Sequence, residues 1–132
     1  MLANYCLLIE AIQSFKKGLE YSNGKGKKLF EDFFEEEDKY FSELKNLGNE
    51  FYKNVRCGIL HQGETLHGWK VTRSETAPLF GSSTKTINAT KFGKQMEKVL
   101  ENYRQKLEES DTNTPIWEYC KRKLNYVINN CK

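Results

Sequence analysis

Apolar residues recur at steps of three and four over most of this chain, which is the spacing of amphipathic α-helices. The first such segment spans residues 2–21, and the run 22–26, with two glycines and an asparagine, ends it in a turn. A second helix is predicted over residues 27–37, with phenylalanines on one side and carboxylates on the other. The acidic run at 35–38 is interpreted as a solvated helix face, because nothing else of metal-ligand character lies nearby.

A third and longer helix is predicted from Asp38, as its N-cap, to about Gln62. Gly63 follows in the position of a helix terminator. The apolar stripe of this helix advances by three or four residues throughout, through Phe41, Leu44, Leu47, Phe51, Val55 and Ile59.

The spacing of apolar residues changes after this helix. Residues 69–73 alternate between apolar and polar, residues 84–87 are rich in β-branched side chains, and residues 77–83 between them are typical of a loop. A small β-hairpin around residues 69–88 is the simplest structure that this pattern predicts.

Two further helices complete the chain. One is capped by Asn88 or Thr90, and the other runs from residue 116 to about residue 129. The predicted fold is therefore all-α, an up-and-down bundle of four to five helices with the β-hairpin as an insertion. The length of 132 residues fits a single domain over 1–132. No stretch approaches the ~20 consecutive apolar residues of a bilayer span, so we expect no membrane partner.

Composition narrows the possible chemistry. With 21 basic and 18 acidic residues, the formal net charge of +3 permits contact with RNA without arguing for it. The basic run at 121–123 is interpreted as a solvated face, with an RNA-backbone contact as the alternative. The four cysteines are widely spaced and no export signal is recognisable, so we expect free thiols and a cytoplasmic protein. The two histidines have no cysteines at zinc-ligand spacing, so we expect no metal site.

The end of the third helix carries the most distinctive residues. With Val55 at the centre of the core face, Arg56 lies ~100° to one side and His61 ~120° to the other. Cys57 and Leu60 lie between them on the outer face. This face therefore presents two apolar residues flanked by an arginine and a histidine, and we expect it to contact a second copy of the protein.

A glycine within the same helix predicts a close contact on its other side. Gly58 costs about 1 kcal/mol relative to alanine inside a helix, so a favourable contact should compensate for it. We expect another helix to cross closely at this position.

The R-x4-H pattern of Arg56 and His61 resembles the signature of HEPN domains, small all-helical modules of prokaryotic toxin and defence systems. The surrounding segment 51–69 and the stretch 87–90 resemble uncharacterised bacterial proteins of that kind. Catalytic members of the family are metal-independent endoribonucleases without cofactors, and they form dimers in which two such motifs face each other. Many of them have a polar residue directly after the arginine, whereas this chain has Cys57.

The resemblance implies a role for each motif residue. His61 would transfer protons to and from the reacting oxygens, and Arg56 would hold the scissile phosphate and stabilise its transition state. Weaker candidates for positioning the RNA are Asn54, Gln62 and Lys53.

Two hypotheses stay open at this point. The domain is either an RNA-cleaving homodimer or a non-catalytic HEPN-like dimer that binds RNA or a protein, such as a nucleotidyltransferase-type antitoxin. If the motif residues are structural, His61 satisfies the last carbonyls of its helix and Arg56 pairs with a nearby carboxylate such as Glu50 or Glu64. His67 is interpreted as a turn residue.

Overall fold

The computed structural model describes residues 1–132 and contains mostly helix, with one small sheet. The prediction of a helical protein with a small β insertion before the penultimate helix is confirmed. The α-helices are α1 (Leu2–Lys17), α2 (Gly26–Glu36), α3 (Asp38–Phe41), α4 (Gly48–Phe51), α5 (Cys57–Gln62), α6 (Ala89–Glu109) and α7 (Pro115–Asn130). None of them combines the length and the apolar character needed to cross a bilayer.

The predicted third helix is broken, so the expectation of one continuous helix from Asp38 to Gln62 is wrong. After α3, Ser42–Leu44 form a 3-10 turn, and the chain re-enters helical geometry at Gly48. The break allows α4 to approach α2 closely, since a Cβ on Gly48 would lie 2.5 Å from the Cα of Glu31. The apolar spacing continues across the break and gives no sign of it.

The acidic run at the end of α2 is only partly solvated. Glu37 is buried, and its Oε1 lies 2.8 Å from Nζ of Lys16 on α1. Asp38 does not cap α3 as predicted; it is the first helical residue, and its carboxylate accepts a hydrogen bond from Lys45 at 3.0 Å. These carboxylates therefore hold neighbouring segments together.

From α4 the chain continues through a π-helical segment, Tyr52–Arg56, directly into α5. A π-helical turn is wider than an α-helical turn, so the residues that follow it are rotated relative to ideal α-helical spacing. The angles of ~100° per residue used for the sequence therefore do not apply to Arg56 and the residues after it. The end of α5 is as predicted, with Gly63 in the left-handed conformation at φ 76°.

The sheet pairs differently from the predicted hairpin. Its strands are β1 (Lys70–Thr72), β2 (Phe80–Gly81) and β3 (Thr86–Asn88). They lie in the order β1-β3-β2, with β3 parallel to β1 and antiparallel to β2. The two segments identified in the sequence are therefore neighbours that run in the same direction, because the chain forms β2 between them.

Asn88 joins the sheet to α6. Its Oδ1 accepts a hydrogen bond from the backbone N–H of Lys91 at 3.3 Å, which identifies Asn88, and not Thr90, as the cap of α6. Its side-chain amide donates to the backbone carbonyls of Ser74 and Ala77, at 2.5 Å and 3.0 Å. One buried asparagine thus fixes the start of the longest helix and the loop before β2.

Phenylalanine rings fill the core. The ring centroid of Phe92 on α6 lies 4.8 Å from Phe41, 5.6 Å from Phe51 and 6.3 Å from Phe34. All four side chains are fully buried. Aromatic pairs at such separations contribute about 0.5–1.5 kcal/mol each beyond the burial of their surface. Because the rings come from α2, α3, α4 and α6, this cluster joins the helix that carries the motif to the rest of the protein.

We expect Phe92→Ala to lower the free energy of unfolding by about 3–5 kcal/mol, because it leaves a cavity among three other rings. The matched control is Ile128→Ala on α7, where the side chain is 53% exposed. This variant should lower the free energy of unfolding by less than about 1 kcal/mol. Urea denaturation followed by circular dichroism measures both. Similar losses for the two variants would contradict the central place of Phe92.

Candidate functional site

Arg56 is held by the first helix and not by a carboxylate close to it in sequence. Its Nε donates to Oε1 of Glu10 at 2.5 Å, and the two side chains are 18% and 10% exposed. Oε2 of Glu10 accepts a second hydrogen bond from Ser22 Oγ at 3.1 Å. The expectation that Glu50 or Glu64 pairs with this arginine is therefore wrong, because the partner comes from 46 residues earlier in the chain.

The surroundings of Arg56 keep it charged. Burial disfavours the guanidinium cation, but the Glu10 carboxylate outweighs this effect, so the pKa of Arg56 is raised. The Tyr52 ring adds a cation–π contact, with its centroid 5.4 Å from the Cζ of Arg56. Burial also raises the pKa of the neighbouring Cys6 thiol to about 12, so Cys6 is protonated and unreactive at neutral pH.

Only one edge of the guanidinium has a partner. Arginine carries five N–H donors in a planar fork, and here Nε alone donates to Glu10. Nη1 and Nη2 have no oxygen acceptor in the protein, and the Cys57 side chain is a further neighbour of the guanidinium. Arg56 is therefore oriented by one carboxylate through Nε, and its terminal nitrogens have no carboxylate partner.

His61 lies in the last turn of α5, exposed and without a side-chain hydrogen bond or ion pair. It does not form a hydrogen bond with Arg56 within the chain. The alternative role for His61 is to cap the last carbonyls of its helix, but its side chain donates no hydrogen bond to them. The backbone N–H of Gly63 caps this end of the helix instead.

The face around the motif is mixed in polarity. Leu60 is 36% exposed and Cys57 is half-buried, so the predicted interface residues have access to solvent. Lys53 and Gln62 are also exposed and make no side-chain hydrogen bond. These four residues lie on the same helical segment as Arg56 and His61.

Asn54, predicted to position RNA, is buried and bonded to the loop that follows α5. It is 8% exposed, and its Oδ1 lies 2.7 Å from Nδ1 of His67. A carbonyl oxygen only accepts, so Nδ1 of His67 carries the proton and Nε2 is free. His67 adopts a left-handed conformation, with φ 55°, which is unusual for a residue with a side chain. No spacing in the sequence indicates this pair, since it depends on how the loop folds back.

Gly58 packs against that loop and not against another helix, which corrects the prediction. A Cβ at this position would meet the backbone carbonyl oxygen of Glu64 and then Cγ of Leu66 at 3.1 Å. The backbone N–H of Leu66 also donates to the carbonyl of Asn54 at 2.8 Å. The expectation of a close contact is right, and its partner is the segment directly after the helix.

Comparisons of this chain with protein-family models, with curated proteins and with solved structures gave no match.

We expect Gly58→Ala to destabilise the protein, although alanine normally stabilises a helix by about 1 kcal/mol relative to glycine. The added methyl group cannot fit beside the Glu64 carbonyl, so the loop must move. Urea denaturation measures the global loss, and amide hydrogen exchange at Leu66 reports on the loop. The control is Gln62→Ala at the exposed end of α5, which should change stability by less than about 0.5 kcal/mol. A Gly58→Ala protein as stable as the wild type would contradict the close packing.

We expect Glu10→Gln to lower the free energy of unfolding by about 1.5–3 kcal/mol, because it leaves the largely buried Arg56 cation without its carboxylate. A double-mutant cycle with Arg56→Gln measures the coupling between the two side chains. The exposed pair formed by Glu101 and Arg104 provides the control cycle, for which we expect no measurable coupling. A coupling near zero for Glu10 and Arg56 would contradict their ion pair.

Proposed function

We propose that this protein is a metal-independent endoribonuclease of the HEPN type, which acts as a homodimer through Arg56 and His61. The observation that supports the proposal is the state of the guanidinium. Glu10 fixes Arg56 through Nε alone, and both terminal nitrogens are without an oxygen acceptor in the protein. A planar fork with free donors suits a phosphate. The exposed, unpartnered imidazole of His61 lies on the same helical segment.

The reaction needs two proton transfers and one charge-stabilising group. The 2′-hydroxyl attacks the adjacent phosphorus while a neutral imidazole removes its proton, and the bond from phosphorus to the 5′-oxygen breaks. A protonated imidazole donates to that leaving oxygen, and the Arg56 guanidinium stabilises the additional negative charge on the phosphoryl oxygens. The products are a 2′,3′-cyclic phosphate and a 5′-hydroxyl.

A dimer supplies the second imidazole. One chain offers one His61, while base and acid are needed on opposite sides of the phosphorus. In this proposal the faces carrying Cys57 and Leu60 pair around a two-fold axis, with the helices arranged as an up-and-down bundle behind them. The setting is cytoplasmic, and a protein antitoxin is the expected regulator.

A second candidate function is a non-catalytic dimer that binds RNA or a protein partner. The observation that favours it is the neutralisation of Arg56. Its side chain is only 18% exposed and is paired with a carboxylate, as expected for an arginine that organises the fold.

Cleavage of structured RNA without added metal tests the first function. We expect purified wild-type protein to degrade RNA in the presence of a chelator, and His61→Ala to reduce the rate by at least about a hundredfold, as for loss of a general acid–base group. The matched control is His67→Ala, which removes the only other histidine and should keep most of the activity. Circular dichroism confirms that both variants are folded.

The alternative outcomes separate the hypotheses. Equal cleavage by wild type and His61→Ala would indicate a contaminating nuclease and refute the catalytic role. A wild-type protein that is dimeric and inactive would favour the non-catalytic module. Gel filtration showing a monomer at micromolar concentration would contradict both functions.

A further inference from the structure

A groove between α3 and the first half of α6 is lined by lysines. Lys39, Lys91, Lys94 and Lys98 surround a depression of about 380 Å³ together with Tyr40, and we call these five residues the lysine groove. None of the residues proposed for cleavage lines it. The three lysines of α6 follow one another by three and four positions, so they form one edge ~10 Å long.

The lysines of the groove have no anionic partner within the protein. None of the four forms an ion pair or a side-chain hydrogen bond. Lys39 instead makes a cation–π contact with Tyr40, in which its Nζ lies 5.5 Å from the ring centroid. Four cations that surround one depression without partners favour an anionic ligand.

The basic run at 121–123, the other candidate for RNA contact, differs in this respect. Lys121 and Lys123 donate to backbone carbonyls at 2.9 Å and 2.8 Å, and Arg122 pairs with Glu118 at 3.1 Å. Each of these three side chains already has a partner within the protein, whereas the groove lysines have no anionic partner, which leaves the lysine groove as the stronger candidate.

Two of the three acidic residues near the groove, Glu43 and Glu101, have partners within the protein, whereas Glu97 has none. Glu43 lines the depression, but its Oε2 accepts the backbone N–H of Phe80 at 2.9 Å. Farther along α6, the groove opens into a second depression of about 730 Å³ that includes Glu97 and Glu101, and Glu101 pairs with Arg104. The positive charge is therefore concentrated at the first depression.

Tyr40 lies where the two depressions meet, since it lines both of them. Its side chain is half-buried, and its backbone carbonyl accepts a hydrogen bond from Nε2 of Gln95 at 3.0 Å. The side chain packs against the hydrophobic core while part of its surface is open to solvent. An aromatic ring beside a row of lysines is the arrangement that binds single-stranded nucleic acid without sequence preference.

We propose that the lysine groove binds the phosphodiester backbone of single-stranded RNA. The lysines neutralise phosphates, and the Tyr40 ring stacks on a base. An acidic protein segment would match the lysines but would leave the ring without a role, so RNA fits the groove better. The inference rests on the proposed function, because it assigns the surface that holds RNA outside the cleavage site.

The test is RNA binding by a variant with Lys91→Gln, Lys94→Gln and Lys98→Gln. Fluorescence anisotropy with a labelled single-stranded RNA is measured in a His61→Ala background, so that cleavage does not interfere. We expect the affinity to fall about tenfold, and the slope of log K against log salt to become shallower by about 2, since each lost contact to a single strand removes ~0.7.

The control variant carries Lys25→Gln, Lys27→Gln and Lys132→Gln. These three lysines are exposed and unpaired, so the variant loses the same charge elsewhere and should keep most of the wild-type affinity. An equal loss in the control, or no loss in the groove variant, would overturn the inference whether or not the wild type cleaves RNA.

Competitors test the identity of the ligand. Single-stranded DNA of the same sequence should bind no more tightly than RNA, and polyglutamate of equal charge should displace the RNA poorly. Tighter binding of DNA, or displacement by polyglutamate as effective as by unlabelled RNA, would overturn the assignment to RNA. Binding through the groove by a wild-type protein that cleaves nothing would support this inference and refute the catalytic proposal alone.

Discussion

The ion pair between Glu10 and Arg56 is the interaction on which the candidate site depends. It connects α1 to the segment that carries the motif, and it engages Nε of the guanidinium while the terminal nitrogens have no oxygen acceptor. Pairs of this kind, largely removed from solvent, contribute little net stability compared with apolar residues of the same size, but the loss of one partner is costly. The pair therefore acts mainly as a positioning device, because it fixes the direction in which the remaining donors of Arg56 point.

The aromatic core makes that positioning rigid. Phe51, the last residue of α4, packs against Phe30 and Phe92 with ring centroids 5.7 Å and 5.6 Å away. The π-helical segment starts at the next residue, so its irregular backbone rests on fully buried rings. π-Helical turns occur frequently at functional sites. Here the turn places Asn54 toward the loop at His67 and Arg56 toward Glu10, two contacts made in different parts of the protein by residues two positions apart.

The sequence predicts most helical segments because their apolar residues follow the helical period. It also predicts the C-terminal end of α5 and the start of α6, because Gly63 and Asn88 are terminating and capping residues whose effect depends only on nearby backbone. It fails where structure depends on distant segments. The break before Gly48 accompanies the close packing of α4 on α2, and the pairing of β1 with β3 depends on β2, which has only two residues. The partner of Arg56 follows from no local rule, since α1 and the π-helical segment meet only in the folded chain. Gly58 shows the intermediate case, in which the close contact is predictable but its partner is not.

The distribution of partners among the basic residues carries more information than the net charge. A value of +3 describes a protein with little preference for polyanions, yet the cations are unevenly engaged. Those of α1 and α7 are mostly paired or hydrogen-bonded, as in the contacts of Lys16, Lys17 and Arg122. The lysines of the groove are not. An ion-paired cation must give up its partner to bind a phosphate. A row of unpaired lysines on one helix edge therefore attracts a polyanion more strongly than the net charge of the protein indicates. Such a surface would hold RNA by charge, and a site such as Arg56 and His61 would act on whichever phosphate reached it.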